Sequence, residues 1–227
     1  MSKILISGYY GFANAGDEAM LTAIIESLRQ VEKNVELTVL SGNPEDTAAK
    51  HQVCSVYRFN PLGIIRAMKD SELIISGGGS LLQDVTSKRS LLYYLSIIGL
   101  GKFFGKKVML FAQGIGPIRA KWARKLTSLV CNEADLITVR DSESAAELIE
   151  MGVKPEKITV TADSVLSLNP VTKECGQYLL QEAGVDLTQP VIGISVRPWS
   201  GDSQCFQVLA EAASKLQQSY GAQLILL

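Results

Sequence analysis

Apolar and polar positions follow two alternating patterns along the first two-thirds of the chain. Short apolar runs rich in β-branched residues predict strands, which lie at 3–7, 35–40, 73–76, 108–112, 136–139 and 158–161, with a weaker one at 52–57. Between these runs apolar residues recur every three or four positions, which predicts helices with one buried face, as at Met20, Ile24, Leu28 and Val31. A strand followed by a helix about every 15 to 25 residues predicts a Rossmann-like α/β fold with a parallel sheet.

Capping and turn residues place the helices between those strands. We expect helices at the following places: from Asp17 onward, over 61–69, 91–103 and 119–131, and after Asp141 or Ser142, either of which can cap a first turn. The Ser-Gly-Asn-Pro sequence at 41–44 predicts a turn.

The strand–helix pattern pauses near Asn169-Pro170, which predicts two domains, 1–168 and 169–227. The second would contain helices over 174–183 and 203–220 and strands over 191–196 and 223–227. Because two strands bury a sheet poorly, we expect residues 169–227 to be the start of a second, incomplete Rossmann-like domain. The alternative is a short α/β element packed on the first domain.

The composition fits a globular protein and excludes several functional classes. Hydrophobic residues make up 47% of the chain, and the formal net charge is −1, which provides no general attraction for nucleic acid. The four cysteines are far apart, and a strand follows Met1-Ser2-Lys3 without a secretory leader, so we expect a cytoplasmic protein with reduced, buried thiols. The single histidine, His51, lies in a polar stretch, so we expect it in a surface loop and expect neither a metal site nor a cofactor.

One apolar segment raises the question of a membrane. Residues 91–100 are mostly apolar but fall short of the roughly 20 residues that a bilayer-spanning helix needs. A core helix is the first interpretation. The alternative is a peripheral contact at the inner membrane face through Phe103, Phe104 and the neighbouring lysines.

The glycine-rich segment after the fourth strand is the strongest candidate for a site. The strand ends in Gly77-Gly78-Gly79 and continues as Ser-Leu-Leu-Gln-Asp over 80–84. Glycines allow a sharp turn and a close approach of backbone N–H groups to a ligand, although a plain strand-to-helix turn has the same pattern. Parallel strands bring their carboxyl ends to one edge, so this segment should meet the loops that carry Asn14, Asp17, Gln113 and Arg140.

Common nucleotide and hydrolase motifs are missing from these loops. The first loop reads Gly8-x-x-Gly11-x-x-x-x-Gly16, which does not fit the dinucleotide-binding fingerprint. No glycine precedes Lys-Ser or Lys-Thr in the frame of a P-loop, and no serine has the context of a nucleophile elbow.

Four segments together resemble the polysaccharide pyruvyl transferase family. They are Gly-Phe-Ala-Asn-Ala-Gly-Asp-Glu at 11–18, Gly-Gly-Gly-Ser-Leu-Leu-Gln-Asp at 77–84, Gln-Gly-Ile-Gly-Pro at 113–117 and Val-Arg-Asp-x-Glu-Ser at 139–144. The resemblance implies a GT-B-like fold of two Rossmann-like domains. It also implies that phosphoenolpyruvate donates a pyruvyl group to two sugar hydroxyls, which gives a cyclic ketal. In bacterial cell-wall members the acceptor is N-acetylmannosamine of a lipid-linked secondary cell-wall polysaccharide, which serves cell-wall biogenesis and S-layer anchoring.

The resemblance assigns roles to individual residues. Arg140 is similar to the phosphoenolpyruvate-binding arginine of the family, and the alternative is a salt bridge to Asp141 or Glu143. Asp17 is a candidate general acid/base or acceptor-hydroxyl ligand, and the alternative is helix capping. Candidates for hydrogen bonds to the sugar or phosphate are Asn14, Gly78, Gly79, Ser80 and Gln113, and Arg197 could close the cleft from the second domain or form an ion pair.

The resemblance also has a gap, and other functions stay open. The family has an essential histidine later in its second domain, and His51 does not match that motif. We therefore expect residues 1–227 alone to hold phosphoenolpyruvate incompletely. The alternatives are a GT-B glycosyltransferase that uses a nucleotide-sugar and a non-catalytic glycan-binding module, since a shared fold does not separate functions.

Overall fold

The structure, a computed structural model, describes residues 2–196 and 203–226, except for the side chains of residues 203 and 204. The chain divides into two compact units, Met1–Leu168 and Asn169–Leu227. Arg197, which sequence analysis places in the cleft, lies outside the described residues.

The first unit is built on one parallel sheet of seven strands, which confirms the α/β prediction. Along the chain the strands are β1 (Lys3–Tyr10), β2 (Glu36–Ser41), β3 (Cys54–Tyr57), β4 (Leu73–Gly77), β5 (Lys107–Gln113), β6 (Leu136–Val139) and β7 (Ile158–Val160). Their order across the sheet is β3-β2-β1-β4-β5-β6-β7. The order therefore reverses between β1 and β4, and such a switch point opens a crevice at the carboxyl ends of the two strands.

Six helices connect the strands of this unit. They are α1 (Ala15–Val31), α2 (Pro44–His51), α3 (Pro61–Asp70), α4 (Lys88–Phe103), α5 (Lys121–Glu133) and α6 (Ser142–Glu150). Both faces of the sheet are buried by apolar clusters. Successive residues of a strand point to opposite faces and therefore belong to different clusters. Ile4 and Ile6 of β1 pack with α1 residues such as Ile24, whereas Leu5 packs in the larger cluster that includes α4.

The second unit contains two helices and a two-stranded parallel sheet in its described part. Its elements are α7 (Lys173–Glu182), β8 (Val191–Ile194), α8 (Ser203–Tyr220) and β9 (Gln223–Leu226). The elements occur where the sequence pattern predicts them. That they begin a larger Rossmann-like domain stays a prediction.

The structure differs from the sequence prediction at one helix that was not predicted and at one residue that was expected to be buried. The turn predicted at 41–44 instead leads into α2, where Asn43 caps the helix and Pro44 occupies its first position. The pattern missed this helix because its eight residues are mostly polar and contribute only Thr47 to the core. Val31 was predicted on the buried face of α1 but is 89% exposed, and it is the last residue of the helix.

Two predictions about thiols and the histidine were also wrong. Only Cys131 is buried, and Cys54, Cys175 and Cys205 are exposed. His51 is not in a surface loop: it ends α2 with a mostly buried ring, whose Nε2 lies 3.8 Å from a carboxylate oxygen of Glu18. Burial lowers the pKa of His51, while the charge of Glu18 partly counters that effect.

Asp135, a carboxylate of the first unit with several hydrogen bonds, lies at the amino-terminal side of the sheet. Asp135 accepts hydrogen bonds from Lys102 Nζ at 2.7 Å, Lys107 Nζ at 3.2 Å and the Val108 N–H at 2.9 Å. Desolvation alone would raise its pKa, but these hydrogen bonds lower it to about 2.

We predict that Asp135→Asn lowers the free energy of unfolding at pH 7 by about 1 kcal/mol, a value reduced for solvent screening. A carboxyl whose pKa is depressed on folding stabilises the protein above the unfolded pKa near 4, and this contribution is lost as the pH falls towards 2. Urea denaturation at pH 7, 4 and 2.5 should show the difference between wild type and variant shrinking with acidity. The exposed Glu133→Gln serves as the control, and a pH-independent difference would contradict the assignment.

Candidate functional site

The loops after β1, β4, β5 and β6 meet along one edge of the sheet, which we call the rim. The segments 77–84 and 113–117 run side by side: the Gly114 N–H donates to the Gly79 carbonyl at 3.0 Å, and Leu82 pairs with Ile115 in a parallel bridge. The Arg140 N–H donates to the Gln113 carbonyl at 3.1 Å. The loops after β4, β5 and β6 are thereby fixed next to one another at the carboxyl ends of their strands. Ser80 and Arg140, which are 60 residues apart in sequence, come into hydrogen-bond contact there.

Gly78 and Gly79 bring the fourth strand close to helix α1. Their φ angles are +77° and +69°, which L side chains rarely adopt, and a Cβ on Gly79 would lie 3.1 Å from Asp17 Oδ1. Both residues are buried. The Gly78 N–H donates to the Phe111 carbonyl at 3.3 Å, and the Gly79 N–H to Met20 Sδ at 2.9 Å. These amides donate within the protein in this structure, where the glycines set the shape of the rim, and their contact with a ligand stays a prediction.

The start of helix α1 separates the roles of Asn14 and Asp17. Asn14 is the cap, because its Oδ1 accepts from the Gly16 N–H at 3.1 Å and from the Asp17 N–H at 3.4 Å. Asn14, and not Asp17, is therefore the N-cap residue of α1. Asp17 is the third residue of the helix and is half-buried, with its carboxylate beside Gly79. Its negative charge contributes to raising the pKa values of Tyr10 and Tyr94, where desolvation is the larger cause.

Arg140 lies on the other side of the glycine turn and is only partly exposed. Its Nη2 donates to Ser80 Oγ at 3.2 Å, and Ser80 itself is exposed. Its Nε lies 3.4 Å from Asp141 Oδ2, and its Nη1 lies 3.3 Å from Asp163 Oδ2. Of the two carboxylates that the sequence offers as partners of Arg140, Asp141 forms an ion pair with it in this structure. The ion pairs of Arg140 with described residues do not include Glu143. These separations are about 0.5 Å longer than the 2.7–2.9 Å typical of tight charge-assisted hydrogen bonds.

Sequence reasoning missed Asp163, although the rule that found the other residues covers it. Asp163 follows β7 just as Arg140 follows β6, so both lie at carboxyl ends of parallel strands. Strand β7 has only three residues, and Thr161 and Ala162 separate it from Asp163, which obscured that position. Asp141 also has a second role, because its Oδ1 accepts from the Ser144 N–H at 2.7 Å and caps α6. That hydrogen bond, followed by the Arg140 contact, lowers the pKa of Asp141.

Gln113 is placed beneath the rim, not on its surface. Its side chain is 0% exposed, and its Nε2 donates to the Ser76 carbonyl at 2.9 Å and to Ser76 Oγ at 2.8 Å. Ala112 just before it has a φ of +47°, and the pairing of β5 with β6 shifts there. This bulge turns the Gln113 amide back towards β4. In this arrangement both hydrogen bonds of Nε2 are made within the protein, so the Gln113 side chain couples β5 to β4.

Asp84 ends the glycine-rich segment and organises the next helix. Its two carboxylate oxygens accept from the N–H groups of Arg119 and Ala120, each at 2.9 Å. Ala120 precedes helix α5 and cannot cap it with its own side chain, so Asp84 supplies that function from another loop. The same backbone hydrogen bonds lower the pKa of Asp84.

The segment considered for membrane contact lies at the edge opposite to the rim. Phe103 is 81% exposed, and it ends α4 just before the amino-terminal residue of β5, Lys107. Asp135 pairs with Lys102 and Lys107, which reduces the positive charge around this phenylalanine. No helix in the described part of the chain has the length and hydropathy to cross a bilayer.

The fold is similar to that of solved structures of low sequence identity, among them two UDP-GlcNAc 2-epimerases. The Anabaena protein HepE in complex with UDP and glucose has 14% identity and a TM-score of 0.59, with 100% of this chain and 61% of that chain covered. The UDP-GlcNAc 2-epimerase of Neisseria meningitidis has 12% identity, a TM-score of 0.61 and coverages of 100% and 66%. The enzyme of Methanocaldococcus jannaschii has 11% identity, a TM-score of 0.63 and coverages of 100% and 65%. The chain thus spans about two-thirds of the length of these neighbours and has the Rossmann-like architecture of one half of a GT-B fold.

A family model assigns the sequence to a protein family. No curated protein matches it, but the model of polysaccharide pyruvyl transferase matches residues 14–204, which include the rim loops and most of the described second unit. The chain therefore belongs to the polysaccharide pyruvyl transferase family, a family of transferase enzymes.

Proposed function

We propose that this protein transfers a pyruvyl group from phosphoenolpyruvate to two hydroxyls of one sugar residue and releases phosphate. Support comes from the family assignment together with one observation at the rim. The Asp17 carboxylate lies beside Gly79, and the Arg140 guanidinium hydrogen-bonds the adjacent, exposed Ser80, so both charged groups meet the glycine-rich turn that follows β4 at the switch point of the sheet. A carboxylate, a hydroxyl and a guanidinium at one edge can serve a reaction that moves protons on an anionic donor.

The chemistry sets distinct tasks for the two charged groups. One sugar hydroxyl adds to C2 of phosphoenolpyruvate while the methylene carbon takes up a proton and becomes a methyl group. Phosphate then leaves C2, and the second hydroxyl adds there and loses its proton, which closes the ketal. A carboxylate that relays these protons contributes about 10²–10⁴-fold to such steps. Asp17 is our candidate for this relay.

Arg140 is our candidate for holding the donor. A planar guanidinium binds a carboxylate or phosphate with two parallel hydrogen bonds, which a lysine cannot do. Its contacts with Asp141 and Asp163 are long, at 3.4 and 3.3 Å, so a donor that offers shorter hydrogen bonds can replace one of them. Ser80 Oγ, 3.2 Å from the same guanidinium, would then hydrogen-bond the same anion.

The finer assignment follows the bacterial members of the family. We propose N-acetylmannosamine of a lipid-linked secondary cell-wall polysaccharide as the acceptor and the cytoplasm, at the inner face of the membrane, as the location. The GT-B architecture also suits a nucleotide-sugar, and UDP is bound in the HepE neighbour. Titration with phosphoenolpyruvate and with a UDP-sugar separates the two donors.

Phosphate release from phosphoenolpyruvate tests the proposed function directly. We expect the complete protein to release phosphate only when a lipid-linked N-acetylmannosaminyl glycan is present, and Asp17→Asn in that protein to lower the turnover rate by about 10²–10⁴-fold. Asp17→Asn keeps the size of the side chain, and the exposed Asp70→Asn on α3 controls for the change in charge. Normal turnover by Asp17→Asn would remove Asp17 from the mechanism, and turnover of a nucleotide-sugar alone would refute pyruvyl transfer.

The position of Arg140 can be tested without removing its charge. A Cβ on Gly114 would lie 2.7 Å from Arg140 Cζ and 2.7 Å from Ser80 Oγ, so Gly114→Ala must displace both side chains. These are the ends of flexible or exposed groups, and we expect the unfolding free energy to change by less than about 1 kcal/mol. Affinity for phosphoenolpyruvate, measured by calorimetry, should fall about tenfold, approaching the roughly 10–100-fold loss of Arg140→Ala.

Gly99→Ala on helix α4 is the matched control for that substitution. An added Cβ there has no neighbour within 4 Å, so donor affinity should equal that of wild type. Unchanged affinity in both Gly114→Ala and Arg140→Ala would contradict the assignment of Arg140 as the donor ligand.

A further inference from the structure

A second arginine, Arg58, is buried at the carboxyl edge of the sheet, just after β3. It is 4% exposed, and its backbone N–H donates to the carbonyl of Ser41 at 2.9 Å. Its guanidinium carbon lies between 4.4 and 5.9 Å from the centroids of five aromatic rings, those of Tyr9, Phe12, Phe59, Tyr93 and Tyr94. We call this group the Arg58 cluster. The rings attract the cation but offer almost no acceptors for its N–H groups.

The guanidinium has almost no hydrogen-bond partners. Nη2 donates to the Tyr94 hydroxyl at a long 3.4 Å, and Nε and Nη1 are buried without a partner among the described residues. The ion pairs of the described chain, taken to 4.0 Å, include none with Arg58. A buried cation without acceptors or a counter-ion is costly, so proteins usually pair such groups.

Other buried donors lie around the same guanidinium. The Tyr93 hydroxyl and Ser7 Oγ are buried and lack a partner in hydrogen-bond geometry within the described part of the chain. Burial raises the pKa of Tyr93 to about 12, which the nearby Arg58 and Ser7 only partly counter, so this hydroxyl keeps its proton at neutral pH. Arginine, tyrosine and serine side chains all donate hydrogen bonds, and an oxyanion can accept from all of them.

A comparison with Arg140 indicates which cation lacks an anion. Arg140 already contacts the carboxylates of Asp141 and Asp163, whereas Arg58 contacts none among the described residues. Three of the five rings are exposed, Tyr9 by 40%, Phe12 by 41% and Phe59 by 60%, and the rings of Tyr9 and Phe12 stack with centroids 4.3 Å apart. Rotation of these side chains would give a ligand access without breaking an ion pair.

We propose that the Arg58 cluster is an oxyanion-binding site, separate from Arg140, that takes a phosphoryl or carboxylate group of a substrate. Arg58 Nε and Nη1 would donate to two oxygens of the anion, and the Tyr93 and Ser7 hydroxyls would complete its hydrogen bonds. The source of the anion rests on the proposed function: it is the donor phosphoenolpyruvate or the diphosphate that links an acceptor glycan to its lipid.

Calorimetric titrations with inorganic phosphate, phosphoenolpyruvate and inorganic pyrophosphate test this site. We expect Arg58→Met, which keeps the apolar stem, to weaken binding of at least one of these anions by about 10–100-fold. Arg66→Met, an exposed arginine on α3, removes the same charge and should bind as wild type does. A larger loss for phosphoenolpyruvate than for pyrophosphate assigns the donor, and the reverse assigns the diphosphate of the acceptor.

Stability separates a binding role from a structural one. Because Met removes an unpartnered buried charge, Arg58→Met should unfold in urea at the same or a higher midpoint than wild type, and anions should no longer raise its melting temperature. Unchanged affinity for all three anions in Arg58→Met, or no binding by wild type, would overturn the proposal. Arg58-dependent binding without phosphate release from phosphoenolpyruvate would keep this site and refute pyruvyl transfer.

Discussion

Parallel pairing of β1 with β4 is the constraint on which the rest of the site depends. The two strands lie side by side at the point where the strand order reverses, so the loops that follow them diverge and leave a crevice between them. The turn at Gly78 and Gly79 narrows that crevice until β4 contacts the first turn of α1. A side chain at either position would strain the backbone and press on Met20 or Asp17.

The same edge combines well-partnered and poorly partnered polar groups. Asn14, Asp84 and Asp141 are engaged in caps that start α1, α5 and α6, so they hold the loops in place. Arg140 has three long contacts, and Arg58 has rings in place of acceptors. Groups of the first kind stabilise the free protein, whereas groups of the second kind gain most when an anion arrives. This division gives the rim a rigid frame around charges that can exchange partners.

The sequence allowed prediction of the sheet, most helices and the grouping of the rim loops, because strand periodicity and parallel connectivity are local and regular. It did not predict α2, whose eight mostly polar residues bury only Thr47, or Asp163, which follows a strand of only three residues. It also did not predict that the glycine amides and Gln113 form hydrogen bonds within the protein, to Met20, Phe111 and Ser76, because these hydrogen bonds depend on tertiary contacts. The Arg58 cluster draws on β1, α4 and the segment after β3, and no local motif marks such a group.

A crystal structure of the protein with phosphoenolpyruvate tests the account most directly. We predict that the donor lies between Ser80 and Arg140, within hydrogen-bond distance of the guanidinium, and that at least one of the Arg140 contacts with Asp141 and Asp163 is lengthened. Its methylene carbon should face Asp17. A donor bound away from this edge of the sheet, or one that leaves Arg140 in its two ion pairs with no contact to the ligand, would contradict the account.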